Sequence, residues 1–465
     1  MASRFLSNTL QANVGLTKQV GIIAMTPKFV RPLATAAKQA SATRITNLPN
    51  GFTVATEENS SSGAATVGVW IDAGSRNESS KTSGAANLLE HVALQGQAAK
   101  FDKVGGVLTA QTGREVTSYS AKTLGVNVKE SVDILADLIQ NTNVDAASVD
   151  KQRQAVYKQQ LAAETDYEAV VFDHLHATAF QGEGLGRPVV GVKETVEQLT
   201  AEDLLAYQKQ NYGANRMVLV GSGDVDHDSL VRLAEEKFGG LPTAAPITQK
   251  KTTFTGSEIR LRDDTLPQAR IALAVEGAPY LSEDYFNLLV MQAIIGSWDK
   301  SLGAAANLSS RLSTIVHNNH LANSFTAFTK GYKDTGLWGM YVVTENKDQI
   351  DDFVHFTQRE WARLSTTVTA SEVERAKQQV RASLLLSLDN TNAVAQDIGS
   401  QILVSGKRFT PEELKSFINK VSADTVHKTA KQYIWDQELA VVGQGPIECL
   451  TDYLRVRGFM AYNRF

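Results

Sequence analysis

The residues Thr66 to Glu78, TVGVWIDAGSRNE, alternate apolar and small side chains as a buried strand does, break at Ala73-Gly74, and run through a polar loop into a helical pattern over 84–98. Further on, Leu108-Thr109-Ala110-Gln111-Thr112 reads as a strand, and Lys151–Glu164 as a polar helical segment in which Gln is a good helix former. The pattern then repeats itself. Leu199-Thr200-Ala201-Glu202-Asp203 leads through Tyr207–Tyr212 to the apolar run Met217–Gly223. A shift of 222 residues brings Val421-Ser422-Ala423-Asp424-Thr425, the helix through Lys431–Tyr433, and Leu439–Gly445. Ile271–Val275, ending at Gly277, answers Val67–Ala73 more loosely. A repeat this long predicts two homologous domains. Their expected extents are about 45–240 and 258–465, with Gly239-Gly240-Leu241-Pro242 and the polar run Thr243–Thr255 predicting a linker at 241–257.

The charge pattern adds a compartment. Glu57 is the first acidic residue, preceded by Arg4, Lys18, Lys28, Arg31, Lys38 and Arg44 among Ser, Thr, Ala and apolar residues. That composition predicts a mitochondrial transit peptide over 1–44, cleaved between Arg31 and Arg44. The whole chain carries a net charge of −4, and without its basic start it is more acidic still, a poor match for nucleic-acid binding. The longest clean apolar stretch, Leu288–Ile295 broken by Gln292, is too short to span a bilayer, which takes about 20 residues. Membrane association is therefore expected through partners. Cys449 cannot form an internal disulfide and is expected as a packed side chain in a helix-like stretch.

Candidate chemistry sits in Gly84-Ala-Ala-Asn-Leu-Leu-Glu-His91. In the inverted zinc-peptidase motif H-x-x-E-H, two histidines at i and i+4 bind zinc and the intervening Glu activates water. Asn87 holds the first position here, with Glu90 and His91 in the other two. A neutral amide oxygen is a poor replacement for imidazole. Gly221-Ser-Gly223, Gly443-Gln-Gly445 and Gly182–Pro188 do not complete a nucleotide loop and read as turns. His174 and His176, two apart on a helix, point about 200° apart and cannot share an ion. His317 and His320 have no carboxylate or Cys nearby in sequence.

The strand, loop and motif helix together resemble the opening of the pitrilysin-type family, most closely its mitochondrial processing peptidase beta-type members, whose relatives include the core subunits of ubiquinol-cytochrome c reductase. Tyr167 followed by Val170-Val171-Phe172-Asp173-His174-Leu175-His176 is similar to the peptidase subunit and sets the register downstream. In that register the third metal ligand falls on Gln159 and its glutamate partner on Gln152. Second-half segments also resemble beta-type members, among them Trp298-Asp299, Ser309–Leu312 and Tyr332–Gly339, which read as helices, and further on Leu384–Asp389, Gly406–Arg408 and Pro411–Glu413. The edge strand that pairs with extended substrate resembles Leu108–Thr112, with Thr109 where an Asn is usual.

The resemblance implies an α+β fold in which each half is an antiparallel-rich sheet backed by helices on one face, the halves enclosing a polar chamber. With Asn87, Gln152 and Gln159 in place of metal-binding chemistry, the expectation is a degenerate remnant (Asn87, Glu90, His91, Gln152, Gln159) with no catalytic residue, no metal and no cofactor. The implied role is a non-enzymatic core subunit 1 of the cytochrome bc1 complex, peripheral on the matrix side of the mitochondrial inner membrane. Its implied partners are core protein 2, cytochrome b, cytochrome c1 and the Rieske subunit. The alternative is a presequence-cleaving beta subunit of the mitochondrial processing peptidase.

Overall fold

The computed structural model describes residues 42–59, 63–245, 250–302 and 310–462. The expected transit peptide therefore lies, up to residue 41, outside the described residues, and Arg44 already opens a strand. The first sheet contains β1 (Arg44–Asn47), β2 (Thr53–Glu58), β3 (Ala64–Ile71), β4 (Val107–Thr112), β5 (Thr117–Leu124) and β6 (Met217–Gly223). Its order is β1-β2-β6-β3-β5-β4, with only β2 and β6 parallel. The second contains β7 (Ser257–Arg262), β8 (Ala269–Gly277), β9 (Ser297–Asp299), β10 (Ser324–Gly331), β11 (Gly336–Thr344) and β12 (Leu439–Gly445). Its order is β7-β12-β8-β11-β10-β9, with β7 and β12 parallel. The fold is α+β.

The sequence repeat is visible as geometry. β6 and β12 occupy the same place in their sheets, each between a parallel and an antiparallel neighbour, and end on glycines in the left-handed region, Gly223 at φ 99° and Gly445 at φ 97°. The helices leading toward them begin with equivalent capping boxes, Thr200 with Asp203 and Ser422 with Thr425. Apolar side chains of β3 pack under the motif helix Ala85–Leu94, where Leu88, Leu89 and Val92 join Val67, Val69 and Ile71 in one core.

Helices cover each sheet on both faces, a departure from the one-face expectation. Helix Tyr167–Ala179 from the first half lies on β7, β8 and β12, packing Val171, Leu175 and Ala179 against Ala272, Ala274, Ala440 and Val442. Reciprocally, helix Thr391–Ser405 from the second half lies on β3 and β6, placing Val394, Ala395, Ile398 and Ile402 against Ala55, Trp70, Val218 and Val220. Alternating apolar residues on both faces of a central strand need a cover on both sides. Trp298-Asp299 and Tyr332–Gly339 belong to strands and a hairpin instead of helices. Cys449 is exposed in a turn rather than packed. Among the described residues no helix is long and apolar enough to cross a membrane.

Candidate functional site

The motif helix starts at Gly84, whose φ of 92° is left-handed. A Cβ there would lie 2.8 Å from Val196 Cγ2 and 3.0 Å from Gly191 Cα, so glycine meets both a backbone and a packing demand. Glu78 caps this helix from outside it, Oε2 accepting from Gly84 N at 2.9 Å and Oε1 from Ala86 N at 2.8 Å. Burial pushes its carboxyl up to about 8, against those two N–H bonds and the nearby Arg187.

Asn87 and His91, one turn apart, face the long helix Ala146–Thr165. They meet there on one atom. Gln159 Oε1 accepts from Asn87 Nδ2 at 2.9 Å and lies 2.9 Å from His91 Nε2. An amide oxygen has no hydrogen to give, so the imidazole is held with its proton on Nε2. Glu90 points to the other side, toward the sheet, where Thr112 Oγ1 at the end of β4 donates to its Oε2. Glu90 is buried, and that burial raises its carboxyl above the ordinary range although Thr112 and His91 oppose the shift. Gln152, two turns before Gln159, makes no side-chain hydrogen bond among the described residues. The structure thus joins Asn87, His91 and Gln159, places Glu90 against β4, and leaves Gln152 apart.

These donors do not fit a zinc ion. A catalytic zinc takes three protein ligands drawn from imidazole, thiolate and carboxylate, whereas this point offers one imidazole and two amides. The imidazole nitrogen facing it already serves as a hydrogen-bond donor. Among the described residues no group of three or more His, Cys, Asp and Glu could hold a metal.

Sequence reasoning missed Glu78 and Thr112, which act through contacts the local pattern does not encode. It also missed a charged cluster formed by Asp72, Arg76, Glu115, Lys333 and Asp334, next to the motif helix and β4. Those two elements, joined by the Glu90–Thr112 bond, are the walls of the candidate peptide groove; β4 is an edge strand as expected, with Val107 63% exposed.

Residues 53–193 match the family model described as insulinase (peptidase family M16), and 198–380 that of the peptidase M16 inactive domain. The mitochondrial-processing peptidase subunit beta of Lentinula edodes is 47% identical over 453 residues, 94% of this chain and 97% of that protein. The probable counterpart of Schizosaccharomyces pombe is 48% identical, covering 94% and 98%, and the human subunit is 39% identical, covering 91% and 88%. A chain of the complex III2 structure from Candida albicans superposes with a TM-score of 0.83 at 35% identity, covering 90% of this chain and 99% of that one.

The relatives correct two expectations. A non-enzymatic core subunit 1 role was inferred from three side chains in one groove, but kinship to subunits named as peptidases runs over nine-tenths of the chain. Both that role and the expectation that the chain is no enzyme are set aside on this finding. The structural neighbour keeps the coarser likeness to a complex III component.

Proposed function

Because the chain belongs to the M16 peptidase family, we propose that it serves as a beta-type subunit of a mitochondrial processing peptidase, receiving presequence peptides as extended strands along β4. The open edge of β4 carries this reading. Its counterpart in the second half, β10, has its own edge covered by β9, where Ser297, Trp298 and Asp299 pair antiparallel with Thr326, Phe325 and Ser324. The registers align the two edges. Ala110 opposes Tyr119 and Tyr119 opposes Val69, as Ala327 opposes Met340 and Met340 opposes Leu273. Thr109, Leu108 and Val107 therefore stand where Thr326, Phe325 and Ser324 accept β9. The second half supplies a template, made of the chain itself, for an extended guest at the first.

Strand addition uses main-chain groups, so it suits peptides of varied sequence. Beside the guest, Glu90 retains its proton to higher pH than an exposed carboxyl. We propose also that Asn87, His91, Gln152 and Gln159 hold no zinc, and that this chain's own residues contribute capture and orientation of the peptide, working with an alpha-type partner in the mitochondrion. The processing-peptidase names of the relatives support the class. To test it, the purified chain, alone and with its alpha-type partner, is titrated into a fluorescent presequence peptide and anisotropy is recorded. Saturable binding, competed by unlabelled presequence but not by a proline-interrupted version, is expected. Lack of saturable binding in both preparations would sink the reading.

The likeness to a complex III2 chain favours a second reading, concerned with where the subunit resides. A place on the matrix side of the inner membrane, beside core protein 2, cytochrome b, cytochrome c1 and the Rieske subunit, is compatible with peptide capture. Affinity purification from detergent-treated mitochondria would then bring down cytochromes b and c1; recovery without either would count against it.

A further inference from the structure

A partly buried ionic cluster ties the second half to both walls of the candidate groove. Arg76, in the loop between β3 and the motif helix, has a side chain only 5% exposed. Its Nη1 donates to Glu115 Oε1 at 2.5 Å and to Asp334 Oδ1 at 2.8 Å, and its Nη2 to Asp334 Oδ2 at 2.7 Å and Thr252 Oγ1 at 2.9 Å. Asp334 Oδ2 also accepts from Thr252 N at 2.8 Å, and Glu115 Oε2 accepts from Lys333 N at 3.1 Å. The Lys333 ammonium pairs with Asp72, which Arg216 approaches at 3.7 Å. Positive and negative groups in the cluster balance, and buried charges persist only when so paired.

The placement of these residues is what matters. Lys333 and Asp334 form the tip of the β10–β11 hairpin in the second half, and Glu115 forms the tip of the β4–β5 hairpin in the first. The Arg76 loop is stitched to that first hairpin by Ser75 N to Gly113 O at 3.2 Å and Arg76 N to Arg114 O at 2.8 Å. Two residues after Arg76, Glu78 caps the motif helix; one residue before Gly113, Thr112 bonds Glu90. Arg76 thus reaches one wall through Glu78 and the other through Arg114 and Glu115. Apolar contacts also hold the halves together, on the faces covered by the exchanged helices and at the hairpin tip itself, where Tyr332 packs on His176 and Phe180 of the first half.

We propose that the tip of the β10–β11 hairpin is a positioning device for the peptide groove: Asp334, by gripping Arg76, sets the spacing between the motif helix and β4. Asp334, Arg76 and Glu115 are positioning residues, acting on a peptide only through the walls. This rests on β4 receiving peptide, and the test separates the two ideas.

The full chain carrying Asp334→Asn, which keeps the shape and removes the charge, is compared with wild type by hydrogen exchange and by presequence-peptide anisotropy. Faster exchange is expected in both 74–94 and 107–116, with β8 and β12 unchanged, together with about tenfold weaker peptide affinity at an unaltered binding stoichiometry. A mere loss of folded protein would lower the stoichiometry and leave the affinity of the folded fraction intact. Should Asp334→Asn fail to fold, Glu115→Gln, which removes the other carboxylate held by Arg76, is read in the same way. Unchanged exchange in the two walls overturns the proposal, as does unchanged affinity in a variant that is otherwise folded. If the wild type binds no peptide, the exchange data alone decide: faster exchange in both walls upholds the device while the peptide reading falls.

Discussion

At Gln159 one amide oxygen lies against both Asn87 Nδ2 and His91 Nε2, and neither amide brings the negative charge that holds a cation. After dialysis, elemental analysis should find far less than one zinc per chain. Asn87→His, Gln152→Glu and Gln159→Glu combined should raise zinc affinity by on the order of a hundredfold or more in calorimetry, and each alone by little, because ligands act as a set. One zinc per wild-type chain, lost on His91→Ala, would contradict this. Glu78 makes a separate prediction. Its folded value of about 8 stands above the unfolded value of about 4.5, so its protonated form is favoured on folding. Between these values the folded state holds a proton the unfolded state has released, and stability contributed by this group falls as pH rises from 5 to 8, by on the order of a few kcal/mol. Glu78→Gln should flatten that slope in urea titrations at the two ends; an unchanged slope would place it elsewhere. The spacing of Asn87, Glu90 and His91 was legible in sequence because helix periodicity alone puts i and i+4 on one face. Glu78 was not, since its work is done on backbone N–H groups that come within reach only once the loop folds.

Among the elements, the open edge of β4 has an atom-level consequence. Ala327 N donates to Gly296 O at 3.1 Å, toward β9, so the N–H of its counterpart Ala110 faces away from β5, on the side of β4 where no described strand pairs. Proline is tolerated on such an edge because it removes a donor the sheet itself does not use. Ala110→Pro should therefore leave the melting temperature within a few degrees of wild type and cost presequence affinity about tenfold in anisotropy titrations. A large fall in melting temperature would show that this N–H is used inside the protein. Helix Thr391–Ser405 depends on Gly399, where a Cβ would lie 2.4 Å from the Trp70 indole, whose Nε1 donates to Gln396 Oε1 at 3.0 Å. Gly399→Ala should cost about 1–3 kcal/mol in urea unfolding, through overpacking against a ring with no room to move. β3, β6, β8 and β12 could be read from their apolar runs. The three-residue β9 could not, because it exists only by pairing with β10, and local periodicity carries no trace of a partner.

For the molecule as a whole, the 222-residue repeat announced two halves, but nothing in either half's own pattern announced that each would lend a helix to the other. Trp70 is fully buried only beneath Gly399 and its neighbours. Residues 45–240 produced alone should bind a hydrophobic dye and aggregate, and co-production of 258–465 should restore solubility. A soluble, dye-silent first half would mean the exchanged helices are dispensable. The same exchange sets a timetable for biogenesis. The strands of the first sheet are all made once Gly223 has emerged, yet the helix that closes their outer face begins only at Thr391, about 170 residues later. At a synthesis rate of roughly 5–20 residues per second, that face waits wet and sticky for roughly 10–30 s. A chain threaded through a pore from its N-terminus meets the same delay in the receiving compartment, and so needs a holding chaperone there until roughly its last sixth arrives.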